Sequence, residues 1–261
     1  MSTDRREQFR DLHREGSFVL PNPWDRGSAR LLEALGFPAL ATTSSGHAWS
    51  LGRPDQSVTR DELLVHTEAL ADAVEVPLTV DAERCFADDA AGVARTVELL
   101  AAAGAAGCSI EDYDPATRSI DPLAVAVERV AAAASAAATH GLVLTARAEN
   151  HIYGHDDLDD TIERLRAYRD AGAEVVYAPG LVDLDQIGAV VAQAGAPVNV
   201  LLRPAGPSVA ELAAAGVRRV STGGALARAA FAALVESARG LQAGATGTAS
   251  LREVFAAAFR A

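Results

Sequence analysis

The sequence contains no lysine: all 23 of its basic residues are arginine. A chain without lysine cannot form the Schiff bases of lysine-dependent aldolases or hold pyridoxal phosphate covalently. It also lacks the lysine of a phosphate-binding P-loop. Any carbon–carbon bond chemistry in this protein must therefore stabilise negative charge in another way.

Cysteine and long apolar runs are scarce as well. The two cysteines, Cys85 and Cys108, form neither a disulfide framework nor a zinc-binding spacing, which is typical of a reducing compartment. No apolar run approaches the ~18–20 residues of a membrane span, and the first residues, MSTDRREQFR, are charged rather than signal-like. We therefore predict a cytoplasmic protein with no membrane partner.

Positive charge is in short supply overall. The chain carries 35 acidic and 23 basic residues, which gives a net charge of −12 and an isoelectric point near 4.9. Binding to nucleic acid requires a basic surface. We therefore expect no nucleic-acid partner.

Short β-rich runs alternate with longer helical stretches rich in alanine and leucine. Continuously apolar strands that are each followed by a helix indicate a parallel sheet covered by helices, and eight such units fit an α/β fold of the (β/α)8 TIM-barrel type. A doubly wound sheet is the alternative, but LPNPWDRGSA after the first strand is not a glycine-rich dinucleotide turn. The predicted strands lie at 17–21, 38–43, 76–80, 107–111, 142–147, 174–178, 197–202 and 218–222.

The C-terminal residues are predicted to form a separate element. We assign 1–242 to the barrel and 243–261 to a joint and a helix. AGATG (243–247) is typical of a flexible joint, and ASLREVFAAAFR has the pattern of an amphipathic helix. That helix either packs on its own barrel or is exchanged with a neighbouring subunit.

Acidic residues stand where two neighbouring strands end. Asp81 and Glu83 follow the third strand and Glu111 ends the fourth, so these carboxylates should converge at the end of the barrel where functional residues lie. Three carboxylates in a partly buried site need a cation. Without a histidine or cysteine cluster, Mg²⁺ or Mn²⁺ is favoured over Zn²⁺. The alternative is that each acid caps a helix or pairs with an arginine such as Arg147.

Two further features point to anion binding. Arg147 ends the fifth strand and is either a structural partner of Glu149 or Glu111 or a clamp for a substrate oxyanion, and the neighbouring acids favour the clamp. TTSSGH (42–47) resembles a small anion cradle, in which a glycine-containing turn exposes backbone N–H groups. His47 is the histidine best placed for substrate contact.

The cysteines and the other histidines are assigned structural positions. Cys108 lies within a strand and is predicted to be a small buried hydrophobe. Cys85 lies next to the acid pair, and the carboxylates are expected to raise its pKa and disfavour a thiolate. His13, His66 and His140 are predicted to lie on the surface.

The combination of motifs resembles the isocitrate lyase/phosphoenolpyruvate mutase superfamily. PNPWDRGSARLLEALGFPALATTSSGHAWSLGRPD is similar to its N-terminal signature, VDAERCF to its metal segment, CSIED to its Glu-Asp strand and LTARAEN to its arginine-bearing strand. AGAEVVYAPGL and AAGVRRVSTGGAL resemble its sixth and eighth strand regions. The resemblance spans roughly 17–235.

This resemblance implies a Mg²⁺-dependent lyase, with Mn²⁺ as a possible substitute. Such an enzyme breaks a C–C bond of a small 2-oxo or 2-hydroxy carboxylate through a pyruvate-type enolate. By motif, Asp81 would ligate the metal, and Asp55, Glu83 and Glu111 would hold its water shell. Members commonly exchange a C-terminal helix and form dimers or tetramers, so a homodimer or homotetramer is expected.

The resemblance also implies which residues meet the substrate. Ser45, Gly46 and His47 would take its carboxylate, and Arg147 would stabilise the departing or transferring group. We predict Arg147, Glu111 and His47 as catalytic residues. The predicted substrate-binding residues are Trp24, Ser45, Gly46, His47, Arg147 and Asn199.

Three segments depart from the family pattern. Isocitrate- and methylisocitrate-cleaving members carry a Lys-x-Cys-Gly-His loop with a cysteine acid/base, whereas EDYDPATRSIDPL contains none of these residues. Arg84-Cys85-Phe86-Ala87 replaces the glycines after the metal segment and is expected to narrow or recharge the pocket. Glu149 replaces the usual aspartate. A phosphonopyruvate hydrolase or phosphonomutase that acts on a P–C bond, and a non-catalytic metabolite-binding barrel, are the alternatives.

Overall fold

The computed structural model describes residues 3–244, in which eight parallel strands form a nearly closed barrel surrounded by helices. The strands are β1 (Phe18–Leu20), β2 (Leu40–Ala41), β3 (Leu78–Asp81), β4 (Gly107–Glu111), β5 (Tyr113–Asp114), β6 (Ser119–Ile120), β7 (Val143–Arg147), β8 (Val175–Tyr177), β9 (Val198–Leu201) and β10 (Arg219–Ser221). The barrel order is β1-β10-β9-β8-β7-β4-β3-β2, while β5 and β6 form an antiparallel hairpin. The predicted TIM barrel is confirmed, and each predicted strand overlaps an observed one.

Helices follow the strands, as the alternation predicts, and two more lie outside the predicted set. The helices are α1 (Thr3–Asp11), α2 (Arg26–Ala34), α3 (Ser44–Ser50), α4 (Arg60–Ala71), α5 (Ala90–Ala102), α6 (Leu123–His140), α7 (Leu158–Asp170), α8 (Leu184–Ala194), α9 (Val209–Ala214) and α10 (Ala225–Gln242), with a 3-10 turn at Asn150–Tyr153. The pattern missed α1 and α3. The predicted anion cradle is in fact the start of α3, where the Thr43 hydroxyl accepts the N–H of Gly46.

The two ends of the sheet are joined by side chains and isolated hydrogen bonds. The Ala41 N–H donates to the Pro21 carbonyl at 3.1 Å. Asn22 Nδ2 donates to the Thr42 carbonyl at 2.7 Å, and Asn22 Oδ1 accepts the N–H of Thr222 at 2.9 Å. Asn22 therefore ties the ends of β1, β2 and β10 together and closes the barrel.

Helix α1 packs against the end of the barrel at which the strands begin. Phe9 is fully buried there against Gly107, where an added Cβ would lie 2.8 Å from the Phe9 ring and 2.7 Å from the Val143 carbonyl oxygen. His13 lies edge-on to Phe9 and Phe18, and burial lowers its pKa to about 3. The prediction that His13 lies on the surface is therefore wrong, because α1 packs on the barrel.

The C-terminal part of the chain is described only in part. Helix α10 ends at Gln242, and most of the predicted joint and C-terminal helix (245–261) lies outside the described residues. Within residues 3–244, no helix combines the length and the apolarity that crossing a membrane requires.

Candidate active site

Three carboxylates meet one guanidinium at the C-terminal ends of β3, β4 and β7, an end of the barrel that we call the mouth. Arg147 Nη1 lies 2.8 Å from Asp81 Oδ1 and 3.2 Å from Glu111 Oε2. Its Nε lies 2.7 Å from Glu149 Oε1. The strand ladder that pairs Glu111 with Arg147 holds two of these groups side by side. The structure thus brings together residues that are far apart in the sequence.

Glu83 completes this group, and we call Asp81, Glu83, Glu111 and Glu149 the acid cluster. Burial raises the pKa of Glu83 to about 8, with help from the negative charges of Asp81 and Asp55. Burial also raises the pKa of Glu111 well above its usual range and that of Glu149 to about 6. Without a further cation, burial therefore favours the protonated forms of Glu83 and Glu111, and full ionisation of the acid cluster would exceed the charge that Arg147 neutralises.

Asp55 lies at the rim of the mouth. The residue is exposed as a whole, yet partial burial of its carboxylate and the charge of Asp81 raise its pKa. Within the described part of the chain, no group of three or more His, Cys, Asp and Glu side chains is arranged to hold a metal ion directly. The excess of carboxylate oxygens fits a hard divalent cation that one acid contacts and the others reach through water.

The segment that follows β3 keeps an unusual backbone. Glu83, Cys85 and Phe86 have φ values of 48°, 59° and 51°, in the left-handed region that favours glycine. The Arg84 guanidinium is bound by Asp121, with contacts of 3.1 and 3.0 Å. Asp121 therefore neutralises Arg84, so of the two effects expected from the sequence a recharged pocket is not supported, and a narrowed pocket stays a prediction.

Cys85 and Cys108 are both fully buried. The predicted burial of Cys108 is confirmed. Burial is the largest cause that raises the pKa of the Cys85 thiol to about 12, and Glu111 contributes less. The expected direction is right, but desolvation rather than the neighbouring carboxylates dominates.

Gln56 and Tyr153, which the sequence did not identify, form a polar layer next to Glu111 that we call the roof. Gln56 Nε2 lies 3.3 Å from Glu111 Oε1 and 3.2 Å from the Tyr153 hydroxyl. The Tyr153 ring stacks on Tyr113 with centroids 3.6 Å apart. An added Cβ at Gly180 would lie 2.8 Å from the backbone of the turn that carries Tyr153, so only glycine allows this turn to dock. The available sequence signal was one tyrosine two residues after β4 and another six residues after β7.

Residues 44–47, the predicted substrate-binding segment and the first turn of α3, lie against the acid cluster. The Ser44 N–H donates to Asp81 Oδ2 at 3.2 Å, and the Ser45 hydroxyl lies 3.2 Å from that of Thr43. An added Cβ at Gly46 would lie 2.6 Å from Thr43 Cγ2 and 3.1 Å from Trp24 Cβ. Trp24 therefore packs directly on this turn, and glycine is required for the close approach.

The imidazole of His47 packs on helix α4. It stacks on His66 with ring centroids 3.7 Å apart, and neither of its nitrogens has a hydrogen-bond partner. Burial lowers the pKa of both histidines, that of His66 to about 3. The prediction that His66 lies on the surface is wrong. A catalytic role for His47 stays a prediction, and the ring is held against α4.

Asn199 lies inside the barrel and is 1% exposed. Its Nδ2 donates to Ser221 Oγ at 3.0 Å, and its Oδ1 accepts from Arg219 Nε at 2.9 Å. Both ends of the amide are therefore occupied by protein groups. These contacts give Asn199 a supporting position, and its predicted contact with the substrate stays a prediction.

Known proteins resemble this chain over most of its length. The family model described as phosphoenolpyruvate phosphomutase matches residues 9–242. An oxaloacetate decarboxylase from Bradyrhizobium is 32% identical over 251 residues, which cover 92% of this chain and 86% of that protein. A Burkholderia cenocepacia structure described provisionally as a lyase/mutase is 48% identical, with a TM-score of 0.92 and coverage of 97% and 94%. Phosphonopyruvate hydrolase in complex with oxalate and Mg²⁺ is 26% identical, with a TM-score of 0.85 and coverage of 98% and 95%.

Proposed function

The chain belongs to the isocitrate lyase/phosphoenolpyruvate mutase superfamily, and from that premise we propose that it is a Mg²⁺-dependent lyase of small 2-oxo or 2-hydroxy carboxylates. Superfamily relatives are lyases and mutases that act on C–C or C–P bonds. The proposed reaction cleaves a C–C bond, by decarboxylation or by a retro-aldol or Claisen-type step. It leaves a pyruvate-type enolate.

The observation that carries this proposal is the sharing of Arg147 by three carboxylates. One guanidinium cannot neutralise Asp81, Glu111 and Glu149 together when all three are ionised, and an ionised Glu83 would add to the excess. Mg²⁺, when bound, would supply the missing positive charge and stabilise the enolate oxygen. Asp81 would contact the ion, while Glu83, Glu111 and Asp55 would hold its water shell.

Different residues of the chain would bind different parts of the substrate. The turn at 44–47, held beside Asp81 by the Ser44 N–H, would take the substrate carboxylate. Arg147 has a rigid planar group of donors that suits an oxyanion, and it would stabilise the departing group. Glu111 would keep this guanidinium in place.

A P–C bond enzyme is the second candidate. The similarity to phosphonopyruvate hydrolase favours it, because that enzyme binds oxalate and Mg²⁺ on the same fold. The two candidates differ in product. Only the second candidate would convert phosphonopyruvate, either to pyruvate and inorganic phosphate or, by moving the phosphoryl group from carbon to the enolate oxygen, to an enol phosphate.

Calorimetric titration of oxalate, an enolate mimic, with and without Mg²⁺ tests the proposal on the wild type. We expect tight binding that requires Mg²⁺, followed by turnover of oxaloacetate or another small 2-oxo acid. No binding in the presence of Mg²⁺ would sink the lyase proposal. Binding without turnover on any 2-oxo or phosphono acid would instead favour a non-catalytic metabolite-binding barrel.

The roof offers a smaller test of the same site. Tyr153→Phe keeps the ring stack and deletes the hydroxyl that binds Gln56. Since such a hydrogen bond contributes about 0.5–1.5 kcal/mol, oxalate affinity should fall about two- to tenfold. Calorimetry measures this loss. Gln56→Leu should lower oxalate affinity by a smaller factor in the Tyr153→Phe background than in the wild type. Equal factors in the two backgrounds would contradict the coupling of Gln56 to Tyr153.

We also propose a cytoplasmic homodimer or homotetramer. Helix α10 supports the assembly, since Leu234, Val235 and Leu241 are 64%, 47% and 62% exposed on it. Light scattering coupled to size exclusion would measure the assembly. A monomer at micromolar concentration would contradict it.

A further inference from the structure

The Tyr177 side chain lies on the same face of the sheet as the acid cluster. Tyr177 ends β8 and pairs in register with Arg147 on β7 and with Asn199 on β9. Register partners on neighbouring strands project to the same face. The Arg147 guanidinium carbon lies over the Tyr177 ring, 5.2 Å from its centroid, and the residue is 8% exposed. The phenol therefore lies directly beneath Arg147.

Two buried hydrogen bonds lead towards Tyr177. Arg219 donates to Asn199 and Asn199 donates to Ser221, whose hydroxyl lowers the pKa of Tyr177. Because arginine has donors only, Arg219 fixes which end of the Asn199 amide faces Ser221. Ser221 accepts that N–H, which leaves its own O–H free to donate towards the Tyr177 oxygen. A Tyr177 oxygen that accepts from Ser221 would keep its own proton for another acceptor.

Arg219 is a buried cation whose hydrogen-bond partners are neutral. Besides Asn199, it binds Thr145 Oγ1 at 2.9 Å and His13 Nε2 at 3.3 Å, and no ion pair joins it to a carboxylate among residues 3–244. Burial lowers its pKa to about 10, and negative charge on Tyr177 would raise it. A buried charge without a counter-charge is costly.

The resting state of Tyr177 is the neutral phenol. Burial raises its pKa to about 12, while Arg147 and the bond from Ser221 act in the opposite direction. At neutral pH the side chain therefore carries a proton that it can donate. Loss of that proton would leave a phenolate beside Arg147 and Arg219, and its negative charge raises the pKa of both.

We propose that Tyr177 is the catalytic proton donor to the enolate carbon, and that Arg219, Asn199 and Ser221 are positioning residues; this assignment rests on the lyase function proposed above. The Tyr177 O–H bond breaks, and the electron pair of the enolate C=C bond takes the proton to form a C–H bond. The enolate C–O bond becomes C=O. The phenolate is stabilised by Arg147 and by the Ser221 hydroxyl, and it regains a proton from water before the next cycle.

This assignment supplies the acid that the loop after β4 lacks. The family's cysteine acid has no counterpart in EDYDPATRSIDPL, which instead forms the β5–β6 hairpin. Cys85 cannot replace it, because it is fully buried in the core. The Tyr153 hydroxyl is occupied by Gln56 at the roof.

Deuterium incorporation into the methyl group of pyruvate in D₂O with Mg²⁺ tests the reverse proton transfer by ¹H NMR. We expect wild-type exchange to rise with pH as Tyr177 ionises. Tyr177→Phe keeps the ring under Arg147 and should lower the exchange rate by about 100-fold or more, while oxalate affinity stays within about threefold.

Two further variants separate proton transfer from packing. Ser221→Ala removes a bond that lowers the pKa of Tyr177, so the rise in exchange should move to higher pH. A merely structural role of Ser221 would not move it. Tyr168→Phe deletes a different buried phenol, which binds Asp112 Oδ2 at 2.5 Å, and should leave exchange unchanged.

The outcomes distinguish this assignment from the lyase function. If Tyr177→Phe exchanged deuterium at the wild-type rate, the assignment of Tyr177 as proton donor would be overturned, while the enolate site would stand. A wild type that binds oxalate with Mg²⁺ but shows no exchange would do the same. A wild type that neither binds oxalate nor exchanges would overturn both.

Discussion

Arg147→Met should abolish turnover and leave a folded but less stable barrel. Arg147 contacts Asp81, Glu111 and Glu149, so its loss removes the cation that would face the developing negative charge. Loss of one such donor commonly costs about 10²–10³-fold in rate, and we expect at least roughly 10³-fold here because the whole charge is removed. The measurement is the steady-state rate with the best 2-oxo acid found for the wild type. A rate within tenfold of the wild type would contradict the role assigned to Arg147.

The same variant should lose stability in a pH-dependent way. Removing one partner of a buried ion pair costs about 3–5 kcal/mol. Glu111 and Glu149 already have raised pKa values, that of Glu149 about 6, and without Arg147 they should rise further. A carboxyl with a raised pKa binds more protons in the folded state, so its stabilisation is present at low pH and is lost as pH rises through the folded pKa. Urea unfolding should therefore show a larger deficit at pH 8 than at pH 5.

A double variant controls for misfolding. Arg147→Met/Glu149→Gln removes the cation together with one of the carboxylates that the single variant leaves unpaired, so it should recover part of the stability at pH 8. It should not recover turnover, because the substrate still meets no guanidinium. Recovery of turnover would show that Arg147 serves mainly to neutralise Glu149.

Asp81→Asn should abolish the Mg²⁺ dependence of oxalate binding. The amide keeps an oxygen for the Ser44 N–H but removes the charge of the carboxylate proposed to contact the ion. Because even outer-shell changes cost about 10–100-fold in metal affinity, we expect loss of roughly 10³-fold or more for this residue. Asp55→Asn, at the exposed rim, is the matched control and should lose about tenfold.

The fold should lose less stability than in Arg147→Met, because Arg147 keeps Glu111 and Glu149 as partners when its contact with Asp81 is lost. The charge of Asp81 helps to raise the pKa of Glu83 to about 8, so removing it relieves repulsion in the acid cluster. In thermal unfolding, Mg²⁺ should raise the melting temperature of the wild type but not that of Asp81→Asn. A Mg²⁺-induced rise of equal size in both proteins would place the ion elsewhere.

The barrel and the meeting of the acids at its mouth could be predicted from the sequence. Apolar strands alternating with helices leave few alternatives to a parallel barrel, and parallel strands deliver their C-terminal residues to one end. Asp81, Glu111 and Arg147 therefore had to lie near one another wherever the loops ran. The local pattern of apolar residues was also enough to predict that Cys108 is buried in a strand.

The rest depended on contacts between distant segments. The segment with Arg84 was expected to narrow or recharge the pocket, but Asp121, which lies just before α6, binds the Arg84 guanidinium. His13 and His66 became buried only because α1 packs on the barrel and α3 packs on α4. No local pattern records such partners, since Asp121 lies 37 residues from Arg84 and His47 lies 19 residues from His66.

By itself, the absence of lysine determined that charge in this barrel must be offset by arginine or by a metal, because no other permanently charged cation was available. Strand periodicity determined which end of the barrel holds the acids. Only the tertiary structure decided which arginine faces the acid cluster, which one lies buried among neutral groups, and which tyrosine lies between them. Side-chain direction and desolvation make that decision, and both follow from packing across the whole barrel rather than from neighbours in the chain.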